Sequence, residues 1–191
     1  MIRQMKQDHL DLRQRKTRHS LVEALAKLMV ERPFQELSVS DICRQAMVHR
    51  TTFYAHFTDK QELLRYMMQQ MEKECISSCI PEDSGSPRQF FLTASCNALH
   101  FFRDRKALYR ACLDSGAATE ARLLEDAAAR QLYLRLCQPD FRQALHGSDP
   151  EIAARFYVGA MFSLIRWWLS SDTPVPEERL LENLERFIPS V

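Results

Sequence analysis

The chain has 191 residues, 46% of them hydrophobic and 27% charged, with only 4 glycines. That much apolar material excludes wholesale disorder, and the few glycines and scarce β-branched alternation point to an all-α protein. The net charge of +1 hides an asymmetry: Arg3, Lys6, Arg13, Arg15, Lys16 and Arg18 against Asp8 and Asp11 give residues 1–18 a local +4 and leave −3 for the rest.

A basic front of this kind suits an arm lying near nucleic acid, and equally a solvated tail. No apolar run approaches the roughly 20 residues that span a bilayer, and the N-terminus has no apolar signal core, so a cytoplasmic protein without a membrane partner is expected. The six cysteines, 43, 75, 79, 96, 112 and 137, lack the spacing of a disulfide framework and fit a reducing compartment.

In chain order, Leu21, Leu25 and Leu28, flanked by Val22 and Met29, mark a helix from about Thr17 to Arg32, stopped by Pro33. Ser38-Val39-Ser40-Asp41 reads as a capping box opening a short helix to Ala46. Met47, Val48 and His49 break it, and a third helix follows from about Arg50 to Phe57. Thr58 and Asp59 offer caps for a long helix from about Lys60 to Cys79. "PEDSGSP", residues 81–87, is the clearest loop. Beyond it, helices are expected from Pro87 to about Phe102, Lys106 to Asp114, Ala118 to Leu136, Asp149-Pro150 through Leu169, and Pro176 to about Ile188, about nine in all.

Two short helices joined by a tight turn form the skeleton of a helix-turn-helix, whose second helix enters the DNA major groove. That helix needs an apolar inner face, here Phe53 and Phe57, and an outer face of hydrogen-bonding groups, here drawn from Arg50, Thr51, Thr52, Tyr54 and His56. The stretch "LSVSDICRQAMVHRTTFYAHFTDKQELL" resembles the TetR (tetracycline-repressor-type) regulators, in the Ser-Val start, the Ile, the Thr-hydrophobic-Tyr-x-His-Phe run, the Lys and the Glu-x-Leu. The likeness covers roughly residues 15–66. Two positions depart from it. Met47 stands where the family usually has Gly, so a left-handed backbone there carries strain or the turn relaxes, and His49 replaces the usual Ser cap.

The resemblance implies a three-helix DNA-binding domain over residues 1–66 with its basic arm, and a larger helical effector-binding and dimerisation domain over 67–191. It places Thr52, Tyr54, His56 and Lys60 among the phosphate contacts, with His49 also within reach of a phosphate. Ser38 and Ser40 belong to the same DNA-binding set. Arg50 and Thr51 are the leading base readers, since Arg pairs bidentately with guanine and Thr touches a thymine methyl; Ala55 adjoins them.

The expected partners are a palindromic double-stranded DNA operator, a second copy of the chain, and a small-molecule effector of unknown identity, with repression the expected outcome and no cofactor. The last two helices are the dimer candidates: Phe156, Gly159, Ala160, Phe162, Ile165, Trp167 and Trp168 on one, Leu181, Leu184 and Phe187 on the other. Candidate pocket residues are Phe90, Phe91, Phe101, Phe102, Tyr109, Cys112 and Tyr133. An aromatic stripe of this kind also reads as ordinary core.

Three other readings stand beside this one. Cys75 and Cys79, with Cys96 and His100, repeat an i, i+4 spacing that two adjacent helices could close around Zn²⁺ or use for thiol oxidation. A helical protein-protein adaptor would leave Arg50, Tyr54 and Lys60 without effect on DNA. An enzyme is disfavoured by the motif inventory, since the chain has no Gly-rich phosphate loop, no nucleophile elbow and no His-Glu metal helix.

Overall fold

The computed structural model describes residues 2–81, 85–115, 118–145, 147–171 and 175–188. Among the described residues there are ten α-helices and no strand: α1 Ile2–Glu31, α2 Val39–Ala46, α3 Arg50–Tyr54, α4 Lys60–Cys79, α5 Pro87–Asp104, α6 Lys106–Asp114, α7 Ala118–Leu136, α8 Pro139–Ala144, α9 Pro150–Ser170 and α10 Glu177–Phe187. None is long and apolar enough to cross a membrane. The chain divides into two compact units, one of Met1–Gln70 with Ala111–Ala117, the other of Met71–Arg110 with Ala118–Val191.

Three elements differ from expectation. The first helix begins at Ile2 rather than near Thr17, because residues 2–16 contain no Gly or Pro to interrupt good helix formers, although they show no apolar face to advertise a helix. Arg3 and Lys6 of the basic arm belong to this helix, but the side chains of residues 1–11 lie outside those described, as do residues 82–84 of the expected loop. The third helix stops at Tyr54, and Ala55 to Phe57 follow as a turn closed by the Phe57 amide on Phe53 O at 2.9 Å. An unexpected short helix, α8, opens on Pro139 at its first turn.

In the first unit α1 buries Leu21, Ala24, Leu25, Leu28 and Met29, α2 adds Ile42 and Cys43, α3 adds Phe53, and α4 adds Leu63, Leu64, Met67 and Met68. Complete burial of a side chain such as Ile42 or Phe53 contributes about 1.5–3 kcal/mol. The ends of the elements are held by short polar circuits. Ser38 Oγ accepts from the Asp41 amide at 3.1 Å while the Ser38 amide donates to Asp41 Oδ2 at 3.0 Å, the reciprocal pairing of a capping box. At the head of α4, Asp59 Oδ1 accepts from the Glu62 amide at 2.7 Å, and the Thr58 amide and hydroxyl both donate to Glu62 Oε2 at 2.6 and 2.7 Å.

Helix α2 ends on Met47 in the left-handed region, φ 54° and ψ 42°, with the Val48 amide reaching back to Cys43 O at 3.0 Å. This is the closure of a Schellman motif, which glycine makes without steric cost. The turn therefore keeps its geometry and carries the strain of a side chain there.

In the second unit α7 and α9 pack along each other, and α5 lies against α8, α9 and α10. Ser86 caps α5 by accepting from the Gln89 amide at 3.2 Å, and Asp149 caps α9 through the Glu151 and Ile152 amides at 2.8 and 3.2 Å. Phe90, Leu99, Phe102, Leu124, Leu136, Phe141 and Ile165 form the centre of the core. Within it the Tyr157 hydroxyl donates to Phe91 O at 2.8 Å and meets Ser95 Oγ, whereas Arg135 Nε is buried without a hydrogen-bond partner among the described residues.

Since Met47 is 92% exposed, replacing it with glycine relieves the left-handed strain without opening a cavity. Met47→Gly is expected to raise stability by about 1 kcal/mol in chemical denaturation, and a loss of stability would mean that the turn is not strained. The carboxyls of Asp41 and Glu62 are both held below the usual carboxylate range, Asp41 chiefly by the Ser38 hydroxyl and then its amide, Glu62 chiefly by the Thr58 amide and then its hydroxyl. Groups whose folded pKa is depressed stabilise the fold above their unfolded pKa of about 4 and lose that contribution as pH falls through the lower folded value. Acid titration of stability should accordingly steepen below about pH 4, and Asp41→Asn with Glu62→Gln should flatten that limb; an unchanged limb in the double variant would contradict the assignment.

Candidate nucleic-acid interface

Helix α3 has five residues, too few to persist alone, so its orientation is set by Phe53, which is fully buried and packs edge-on against Tyr54 at 5.4 Å and tilted against Phe57 at 6.0 Å. With Phe53 anchored inward, the helical period turns the neighbouring side chains outward. Arg50, Thr51, Tyr54 and Ala55 are exposed, and Thr52 and His56 are half-buried at the edge of the face. His49 occupies the N-cap position with an extended backbone and makes no side-chain capping bond, leaving its exposed ring outside the helix. Ser40 is exposed in the first turn of α2, whereas the Ser38 hydroxyl is engaged with Asp41 Oδ2 at 2.6 Å.

His56 is held below the usual histidine range, first by burial and then by the positive charge of Arg18. At neutral pH it is therefore an uncharged hydrogen-bonding group. Arg18 itself lies over the Tyr66 ring at 5.7 Å, a role that its membership of a basic run did not reveal.

Lys60 sits differently from the exposed set. Its ammonium donates to Phe34 O and Gln35 O at 3.0 Å each and to Leu37 O at 2.7 Å, and lies 4.8 Å from the centre of the Phe34 ring. These carbonyls belong to the one-turn 3₁₀ segment Phe34–Glu36 and its cap. An ammonium has three donors, so the whole set is spent on tying the α1–α2 connection to the head of α4. One further feature was not singled out from sequence: Arg44, exposed and paired with Asp41 Oδ1 at 2.9 Å. It carries no spacing signal that a sequence displays.

Two cavities of the second unit are lined by described residues. One, of about 570 Å³, lies among α5, α7, α8, α9 and α10 and is lined by Phe91, Phe141, Phe156, Tyr157, Leu164 and Phe187, with Arg88 as its charged member. The other, of about 70 Å³, lies among α4, α5, α7 and α9. The sequence-derived pocket residues divide among several places: Phe91 lines the larger cavity, Phe90 and Phe102 the smaller. Phe101 and Tyr109 are buried in packing and line neither, Cys112 is buried in the first unit, and Tyr133 is exposed.

The dimer candidates divide in the same way. Phe156, Ala160 and Trp167 on α9 and Phe187 on α10 are exposed, and Gly159 and Leu181 are half-buried. Phe162, Ile165, Trp168 and Leu184 are buried within the protomer, because α9 is apolar nearly all round and one of its faces is needed for the core against α7.

The four-ligand metal alternative is corrected. Among the described residues no group of three or more His, Cys, Asp and Glu side chains could hold an ion. Cys75 Sγ meets Cys79 Sγ at 3.8 Å, Cys96 Sγ meets the His100 ring at 3.8 Å, and His100 Nε2 turns to Glu177 Oε1 at 2.7 Å. Helical spacing assembled each pair, but it does not bring the two pairs to one point.

Comparison with known proteins places these features in a family. Residues 21–67 match the family described as bacterial regulatory proteins, tetR family, and residues 89–190 match one described as transcriptional regulator C-terminal region. The chain is 33% identical over 95 residues to the uncharacterized HTH-type transcriptional regulator YxbF of Bacillus subtilis (strain 168), a match that takes in 49% of this chain. It spans about a quarter, 24%, of that relative's length. Among solved structures it is similar to a TetR-family transcriptional regulator from Syntrophomonas wolfei (TM-score 0.74, 16% identity, 91% of this chain and 93% of that one). It is also similar to NalD, the secondary repressor of the MexAB-OprM multidrug efflux pump in Pseudomonas aeruginosa (TM-score 0.71, 20% identity, 91% and 96%). These two likenesses show a common fold. With an N-terminal helix-turn-helix and a C-terminal helical region that both match regulator families, the chain belongs to the TetR family of bacterial transcriptional regulators.

Proposed function

We propose that this protein is a sequence-specific DNA-binding regulator, reading an operator through α3 as a homodimer and released from it by a small-molecule effector. The observation that carries the reading is the face of α3: a helix too short to stand alone is pinned by Phe53 so that Arg50, Thr51, Tyr54 and His49 stand together in solvent. Residues 1–66 would form the DNA-binding domain and 67–191 the effector-binding and dimerisation domain. Arg50 and Thr51 would read base edges, while His49, Thr52, Tyr54 and the neutral His56 would contact phosphates. Ser40 adds a hydroxyl at the start of α2, a natural phosphate position, and Ser38 serves through the cap it makes.

Dimerisation is supported by the apolar surface on the last two helices, where Phe156 is 78% and Phe187 79% exposed. Aromatic side chains left this bare in a protomer mark an interaction surface. The cavity of about 570 Å³ beside that surface has the size and apolar lining of a small-molecule site and is the place we assign to the effector. Repression, rather than activation, rests on the likeness to NalD.

Selection of bound duplexes from a random pool at about 0.15 M salt is expected to yield a palindrome with half-sites about one helical turn apart. Failure to enrich any sequence would overturn the reading, and a single half-site would remove the homodimer from it. On the selected operator, Arg50→Ala should cost about 1–3 kcal/mol and relax preference at one position; an unchanged preference would reassign base reading to another side chain. Lys60→Met tests the strut: it should lower stability of the fold by about 1.5–3 kcal/mol while leaving the salt dependence of DNA binding unchanged. A phosphate role would instead reduce the slope by about one.

A further inference from the structure

Cys75 and Cys79 stand one turn apart on α4 with their sulfurs 3.8 Å apart, and both are buried, at 4% and 8% exposure. All six cysteines are free thiols. The separation is far beyond the roughly 2.05 Å of a disulfide, but it admits one bridging atom. An atom bonded to both sulfurs at about 2.3 Å, the length of a thiolate–metal bond, subtends about 110° across this gap. A linear two-coordinate ion would need the sulfurs about 4.6 Å apart. A tetrahedral Zn²⁺ needs four ligands, and among the described residues no third His, Cys, Asp or Glu joins the pair. The bridging atom that fits is pyramidal, complete with two sulfurs and one further substituent.

The surroundings define that substituent. Both cysteines open on the smaller cavity, about 70 Å³, whose other walls include Ile76, Ala94, Ala98, Phe102 and Leu132. It is about half the size of the roughly 150 Å³ apolar cavity that accepts benzene, so a methyl-sized group fits and an aryl group does not. We propose that Cys75 and Cys79 form a binding site for trivalent arsenic carrying one small apolar substituent, with the substituent held in this cavity. The two sulfurs lie within hydrogen-bonding distance of one another, so that a thiolate formed on one accepts from the thiol of the other, and the charge of Arg105 also favours the thiolate form of Cys79 against the opposing effect of burial.

With methylarsonous acid the step balances without an oxidant. Each sulfur forms one bond to arsenic, each arsenic hydroxyl leaves with one thiol proton as water, and arsenic stays trivalent. One CH₃As(OH)₂ and two thiols give one cyclic dithioarsenite and two waters.

The inference is independent of the DNA-binding reading and is tested on the full-length native protein by intact mass and thiol counting after treatment with methylarsonous acid. One methylarsenic group should be taken up with loss of two titratable thiols, resist excess glutathione, and be removed by the dithiol 2,3-dimercaptopropanol. Trypsin should place it on the peptide Glu74–Arg88, which contains Cys75 and Cys79 as its cysteines, so the mapping holds even if a variant fails to fold. Cys79→Ala should make the adduct at least ten-fold more sensitive to glutathione, and Cys96→Ala should leave it unchanged. Phenylarsonous acid, whose ring needs about twice the space available, should occupy the pair at most a tenth as well. A glutathione-resistant adduct on another peptide, uptake only in denaturant, or equal occupancy by the phenyl compound would overturn the proposed site.

Discussion

The burial of Phe53 is the contact on which the recognition unit depends. A five-residue helix has too few internal hydrogen bonds to offset the cost of nucleation, so α3 exists because one ring is fully enclosed by the helices around it. The same anchoring makes the outer residues predictable in direction: once Phe53 points in, Arg50, Thr51 and Tyr54 have no apolar neighbours to bury them. Lys60 completes the frame from the other side by drawing three carbonyls of the α1–α2 connection to the head of α4. A residue that reads from sequence as a phosphate contact is thus, in the folded unit, the strut that sets the connection between two helices.

The turn between α2 and α3 shows how a geometric requirement can outlast the residue best suited to it. Met47 adopts the left-handed conformation and the backbone closes as it would around glycine, because the capping box at one end of α2 and the buried Ile42, Cys43 and Phe53 overdetermine the path of the chain. The strain is local and exposed. It alters the stability of the unit more than its shape.

In the second unit the aromatic residues divide by helical face rather than by residue type. Helix α9 presents Ile165, Phe162 and Trp168 to the protomer core and Phe156 and Trp167 to solvent. The larger cavity opens beside the second face and the smaller one lies within the first packing layer. The proposed small-molecule site and the proposed subunit surface would therefore share Phe156 and Phe187, which line the cavity and also stand at the surface. The sulfur pair belongs to a separate environment, walled by aliphatic and aromatic carbon, where a soft electrophile and not a hard cation finds its partners.

The sequence by itself determined the helical class, the capping positions Ser38 and Asp59, the break at Met47 and the apolar and polar faces of α3. All of these follow from interactions within a few residues, where spacing maps directly onto geometry. It hid the extension of α1 back to Ile2, which has no apolar period, and the short helix α8. Tertiary structure alone decided what depends on distant partners: that Lys60 is spent on carbonyls of residues 23–26 positions earlier, and that Cys75 and Cys79 do not meet Cys96 and His100. It also decided which face of an all-apolar helix such as α9 is core and which is surface. Periodicity states that a face exists; only the packing of other elements against it states what that face touches.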